Sequence, residues 1–215
     1  MWHPEKPNVY YGTPEVDYVN GLTKFTCKYN PKVFPKEDGG TITIPYEVSL
    51  LSSDAWFRQK YGRFECRMTI PDAPYSFPAF WVWGGDPYAE IDMYEGKGRK
   101  SGKTVVYQDM NMHWVDENGI WKHLRTSSVK LDGVFNFQNK FHEFVLEWTP
   151  DKIEIYTNGY KVFQYTNKEI LDKRFNIPLW IIINNSILPQ YTEHNPNYYS
   201  EFLVDYIRVY KHPNR

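Results

Sequence analysis

The sequence predicts an all-β fold, an antiparallel sandwich or barrel, and three observations carry that prediction. Short runs rich in β-branched and aromatic residues follow one another almost from end to end. Clusters of Gly, Pro, Asn and Asp separate them, and no helical segments alternate with them as a parallel sheet would require.

Residues 1–20, with Pro4, Pro7 and Pro14, read as an irregular N-terminal arm laid over the body. Strand-like runs then follow: "LTKFTCKY" from Leu22, "TITIPYEVSLLS" from Thr41 and "GRFECRMTI" from Gly62. The Pro-flanked "PDAPYSFP" from Pro71 reads as a loop and a candidate cleft wall. Next come "AFWVWG", "EIDMYE" and "VVYQDMNMHWV". Asn118-Gly119 divides the last of these from "IWKHLRTSSVKL", and after "HEFVLEWT" the pair Asn158-Gly159 divides "KIEIYT" from "YKVFQYT". Both dipeptides fit a two-residue hairpin turn with positive φ. One helical turn or so is predicted in "NKEILDKRF", bounded by Asn167 and Pro178, before the final runs "PLWIIINNSI" and "FLVDYIRVY". No repeat, linker or low-complexity tract interrupts the series, so the 215 residues read as one domain.

Composition removes several classes of function. Lysine plus arginine number 25 against 26 for aspartate plus glutamate, a net charge of -1 with no long block of one sign. Nucleic acid and anionic membrane surfaces are therefore disfavoured as partners. No apolar run approaches the roughly 20 residues of a membrane helix, and the start "MWHPEKPN" lacks the regions of a signal peptide, so an exported protein would need a leader outside this chain. Cys27 and Cys66 are read first as small buried hydrophobes rather than a disulfide. Aromatic residues reach 18%, more than an ordinary core uses, and rings in a cleft are a common way to hold flat, half-apolar ligands.

The chemistry is sought in "AEIDMYEG". Glu90 and Asp92 share a face of a regular strand, whereas Glu95, five places from Glu90, falls on the other face unless an extra residue bulges near Met93-Tyr94. Acids on a strand are most often ordinary solvated charge, and the motif alone is weak. Its neighbour strengthens it, because "AFWVWGG" sets Trp81 and Trp83 on one face as a floor beside the acids. With the bulge, Glu90 and Glu95 flank Asp92, and a retaining glycosidase needs two carboxyls about 5–5.5 Å apart. Crowding would hold at least one carboxyl above its ordinary range, which suits Glu95 as the proton donor. Calcium would call for a tight loop rather than a strand. His142 lacks the partner of a zinc motif, and "GKGRKSGK" lacks the phosphate-loop spacing, so no metal or cofactor requirement is read.

The ordered set "YGRFECRM", "FPAFWVWGG", "EIDMYEG", "FHEFVLEWTPDKIEIYTNG" and "FLVDYIRVY" resembles glycoside hydrolase family 16, the group of laminarinases, lichenases, agarases, porphyranases and κ-carrageenases. The resemblance covers most of the chain from about Glu47 onward. It implies a β-jelly-roll sandwich of two antiparallel sheets with a concave polysaccharide cleft and a retaining double displacement. By it Glu90 is the nucleophile, Asp92 its assistant and Glu95 the acid/base, and ExDxxE matches the branch of the family with a bulged catalytic strand. Trp81 and Trp83 line the cleft, with His113, Trp180 and Asn184 as further substrate-binding positions. Trp114 and Trp148 are read as core. The resemblance also raises a structural calcium near Asp205. Two departures bear on substrate: "DPYAE" puts Tyr88 where laminarinases carry Trp-Pro, and "YEVSLLSSD" lacks a usual arginine. The expectation is a monomeric, secreted or periplasmic endo-β-glycosidase, acting first on a β-1,3-type glucan. An algal galactan such as agarose, porphyran or carrageenan is the second substrate reading, with Arg99, Lys100 and Lys103 as its basic residues. A non-catalytic glycan-binding module is the alternative from another class.

Overall fold

The computed structural model describes residues 9–17, 20–85, 88–98, 107–125, 129–130, 140–188, 191 and 194–212. The basic residues Arg99, Lys100 and Lys103 lie outside them. In chain order the elements are β1 (Val9–Gly12), β2 (Glu15–Asp17), β3 (Leu22–Pro35), β4 (Thr41–Ser52), β5 (Gly62–Met68), β6 (Ser76–Trp83), β7 (Ala89–Gly96) and β8 (Tyr107–Val115). They continue with β9 (Trp121–Arg125), β10 (Val129–Lys130), β11 (His142–Trp148), β12 (Ile153–Thr157), β13 (Tyr160–Tyr165), helix α1 (Lys168–Arg174), β14 (Trp180–Ile187) and β15 (Tyr199–Tyr210). No helix among the described residues is long and apolar enough to cross a membrane.

The strands form a jelly-roll sandwich, but its layers are not two separate sheets. Hydrogen bonds link them into one path, β10-β8-β7-β6-β14-β4-β3-β15-β5-β11-β12-β13. The link is β15, which pairs with β3 through Val204 and with β5 from there on, shifting register between Val204 and Tyr206. The path then folds back on itself. Tyr94 of β7 meets Phe144 of β11 with ring centroids 4.5 Å apart, and Thr157 of β12 donates to Gln108 of β8 at 2.7 Å. Between these layers lies a core that includes Phe64, Phe80, Ile91, Tyr94, Phe144 and Trp148, none more than 1% exposed. Alternation along each strand supplies it, and each such side chain contributes about 1.5–3 kcal/mol by leaving water.

Local chemistry explains most of the boundaries. Asn167 caps α1 by accepting the Ile170 amide at 3.3 Å, and Lys173 and Arg174 complement its C-terminal end. Asn158 and Gly159 both take positive φ and close the β12–β13 turn in two residues, with Thr157 opposite Tyr160. The β8–β9 connection departs from that expectation. There Asp116 accepts the amides of Asn118 and Ile120, each at 2.9 Å, so the turn widens and only Gly119 of the pair has positive φ.

The stretch read as an irregular arm instead holds two strands. β1 runs parallel to β4, from Val9 opposite Tyr46 to Gly12 opposite Ser49, and β2 pairs antiparallel with β3. Both thiols are free and buried, Cys27 in a smaller tyrosine-rich cluster and Cys66 in the main core. Trp148 is fully buried, and Trp114 packs against the core with its ring edge-on to Phe175.

Candidate active site

The catalytic-type strand β7 does bulge where its acids fall out of step. Against β6, Trp83 pairs with Glu90 and Trp81 with Asp92, but the next pair is Phe80 with Tyr94, which leaves Met93 over. Against β8 the register shifts between Asp92 and Glu95. Met93 and Tyr94 are therefore both in the core, 0% and 1% exposed, and Glu95 returns to the face that carries Glu90 and Asp92. A bulge frees a backbone carbonyl, here that of Met93, and Gln108 Nε2 donates to it at 2.7 Å. The Gln108 oxygen is satisfied in turn by Thr157 from the opposite layer. A buried polar chain thus ties the irregular backbone to the far sheet.

The expected binding residues converge around these acids. Trp81 Nε1 donates to Asn184 Oδ1 at 2.9 Å, fixing a β6 indole to β14. Trp83 lies between Trp81 at 6.2 Å and Trp180 at 5.1 Å, centroid to centroid. Gly85 has φ +74, and a Cβ there would approach the Trp180 ring to 2.7 Å, so the turn after β6 needs glycine to admit that indole. The Arg58 guanidinium covers the same ring at 4.3 Å. His113, across the strand pair from Glu90, places Nε2 3.6 Å from Glu90 and 3.3 Å from Asp92.

Tyr88, noted in the sequence only as a departure bearing on substrate, joins the site, and so do several residues that had not been singled out. Tyr88 donates its hydroxyl to Glu90 Oε2 at 2.5 Å and meets Trp121 at 4.6 Å. Trp121 and His123 project from β9 beside His113, whose ring stacks on His123 at 4.4 Å. Asn111, opposite Asp92, donates to Glu95, and His123 approaches its oxygen at 3.3 Å. Asp109, opposite Glu95, is buried between Lys97 and Arg125. The even spacing of Asp109, Asn111 and His113 was a visible signal. Their register against β7 was not, because it depends on the bulge.

A family model described as glycosyl hydrolases family 16 matches residues 8–208. This chain belongs to that family. Among curated relatives, the endo-1,3-1,4-beta-glycanase EglC of Rhizobium meliloti is 26% identical, the match covering 86% of this chain and 40% of the relative. The chain spans about half the length of the first curated relatives it matches. Among solved structures, the laminarinase catalytic domain of Thermotoga maritima superposes with a TM-score of 0.74 at 24% identity, covering 97% of this chain and 84% of that one. A κ-carrageenase of Zobellia galactanivorans gives the same TM-score at 19% identity, with 96% and 85% covered.

In this family 16 chain the acids are electrostatically unequal. Burial pushes the Asp92 carboxyl well above its usual range and the nearby Glu95 charge adds to that, while Asn111 and Lys97 oppose it. Glu95 is also raised, chiefly by burial, with Lys97 and His113 pulling down and Glu90 and Asp109 pushing up. Burial and the Glu90 charge raise the Tyr88 phenol, so it stays a hydrogen-bond donor at any working pH. Such an arrangement can keep one carboxyl protonated while another attacks.

Among the described residues, Glu90, Asp92 and His113 are the cluster whose donor atoms could meet on one metal ion, all within 4.8 Å of one another. A metal-binding histidine normally donates its second ring N–H to an acceptor, yet His113 Nδ1 is buried without a hydrogen-bond partner. The trio fits a metal poorly. Asp205, expected near a structural calcium, is ion-paired with Arg67, whose cation opposes such an ion there.

Proposed function

We propose that this chain is a retaining endo-β-glycosidase that cuts a polysaccharide by double displacement, and that its first substrate is a β-1,3-type glucan. The carrying observation is the bulge at Met93, which brings Glu95 to the face of Glu90 and Asp92. Glu90 attacks the anomeric carbon while Glu95 gives its proton to the departing glycosidic oxygen. A glycosyl ester on Glu90 results. Glu95, now a carboxylate, takes a proton from water, which attacks the same carbon and releases Glu90. Asp92 holds its neighbours in place, and the Tyr88 hydroxyl fixes the Glu90 carboxylate for attack.

Rings supply the binding surface. Trp81, Trp83 and Trp121 lie beside the acids, which suits the flat apolar faces of pyranose rings in a neutral glucan, while Trp180, 7% exposed with Arg58 over its ring, backs Trp83 from within. The names of curated relatives favour β-glucans. An algal galactan is the second reading, because the κ-carrageenase superposes as well as the laminarinase does. A polymeric substrate of either kind is met outside the cytoplasm.

The test compares the native chain with Glu90→Gln on laminarin, mixed-linkage glucan, agarose, porphyran and κ-carrageenan. Native protein is expected to release oligosaccharides from laminarin, and the variant to lose about a thousandfold or more in rate. Equal release by both proteins would end the reading.

A further inference from the structure

We propose that Asn111 is a positioning residue that sets both the direction and the proton affinity of the Glu95 carboxyl, with His123 fixing the Asn111 amide. This rests on the reading of Glu95 as acid/base. The geometry is unusual because of the bulge. Asn111 faces Asp92 across the β7–β8 pair, and Glu95 faces Asp109 two places further along β8, while β7 has spent three residues on the same distance. Asn111 is consequently the side chain that reaches both acids. Its amide nitrogen donates to Glu95 Oε2, and it lies beside Asp92, whose carboxyl it helps to pull down. It is 4% exposed, so water has little access to replace these bonds.

An amide nitrogen carries two hydrogens and can serve two acceptors. If the Asn111 amide turned over, its oxygen would face two carboxyls and its nitrogen would face His123. The acids on one side and the His123 ring on the other, with Nε2 3.3 Å from Asn111 Oδ1, select one orientation. His123 is well suited to fixing it, because its ring lies parallel to His113 at 14°, and burial together with His113, Arg125 and Lys97 lowers its proton affinity. The lowered proton affinity favours the neutral ring, whose Nε2–H tautomer matches an acceptor at Asn111 Oδ1.

A donor to a carboxylate favours the ionised form. Glu95 must be protonated for the first displacement and ionised for the second, yet burial, Glu90 and Asp109 all favour its protonated form. Asn111 offsets that bias. Removing it should raise the proton affinity of Glu95, so that the carboxyl stays protonated to higher pH but is a weaker acid toward the departing oxygen, and should free it to swing away from the scissile bond.

The experiment measures kcat, KM and their pH dependence on laminarin for native protein, Asn111→Ala, Asn111→Thr and His123→Phe, with circular dichroism and melting curves as checks on folding. Asn111→Ala is expected to lower kcat about tenfold or more with KM nearly unchanged, and to move the alkaline limb up by about one pH unit. Asn111→Thr keeps one donor and should recover part of both changes. His123→Phe keeps the stack but not the donor, and should move the limb the same way by less. A folded Asn111→Ala whose alkaline limb coincides with that of native protein overturns the inference. So does Asn111→Thr behaving no better than Asn111→Ala in both kcat and limb. Glu95→Gln is measured alongside: if it keeps native kcat, the acid/base reading itself has failed, whereas its loss with unmoved Asn111 limbs refutes the Asn111 inference alone.

Discussion

Two buried acid sites occupy opposite layers of the sandwich, and they are built to opposite ends. On β12, Glu154 is 4% exposed, and burial alone would raise it. Lys152 at 2.6 Å, Lys161 at 3.0 Å and the Tyr156 hydroxyl at 3.1 Å pull it below the usual carboxyl range instead. On β7, Asp92 and Glu95 are packed beside other acids and sit above that range. Similar residues on similar strands thus differ in whether their charge is matched. The matched site belongs to the architecture, while the mismatched one stores a proton that chemistry can use.

The largest expected contrast is in rate. Glu95→Gln should cost about a thousandfold in kcat on laminarin, and Glu154→Gln should leave kcat within about twofold. Loss of activity in both would erase the distinction between the two sites. Gln108, which joins the layers, comes next. Gln108→Leu leaves the Met93 carbonyl and the Thr157 hydroxyl buried without their present partner, and chemical denaturation should show a loss of about 1–3 kcal/mol. A loss confined to rate, with stability intact, would mean that other groups hold the bulge.

Stability against pH sharpens the comparison further. Asp92 titrates above its unfolded value, so its protonated form favours folding and that contribution falls as pH rises through the raised value. Glu154 titrates below its unfolded value, so its ionised form favours folding and that contribution is lost on acidification. Asp92→Asn should therefore raise Tm at neutral pH by about 2–4 °C, while Glu154→Gln lowers it there and ceases to matter in acid. Shifts of the same sign at neutral pH would contradict the charge assignments. The smallest effect is expected at Lys97, which lowers Glu95. Lys97→Gln should raise the alkaline limb of kcat/KM by less than about one pH unit, and a downward shift would reverse that assignment.

Much of this was legible in the sequence, for identifiable reasons. Strand alternation placed Trp81, Trp83, Glu90 and Asp92 together because side-chain parity is local. Asn158-Gly159 gave the right turn, whereas Asn118-Gly119 did not, since the Asp116 carboxylate two residues before Asn118 captures two amides and widens the loop. The parallel β1 was hidden because a short pairing between distant segments leaves no local pattern. Continuity of the sheet depends on one long strand, β15, changing partners midway. In the site, the odd spacing of Glu95 raised the question of a bulge. Asn111 and Asp109 share the parity of His113, but which acid each would face was not legible because the bulge offsets the β7–β8 register, and His123 depends on the widened β8–β9 turn.

The central claim assigns opposite roles to Glu90 and Glu95, and azide rescue of their alanine variants on an activated aryl β-glycoside tests it most directly. In Glu95→Ala, azide should restore turnover by attacking the glycosyl ester and give the β-glycosyl azide. In Glu90→Ala, azide should fill the space left by the carboxylate and give the α-glycosyl azide. Exchanged products, or no rescue of two folded variants that turn over the native substrate at native rates, would contradict the account.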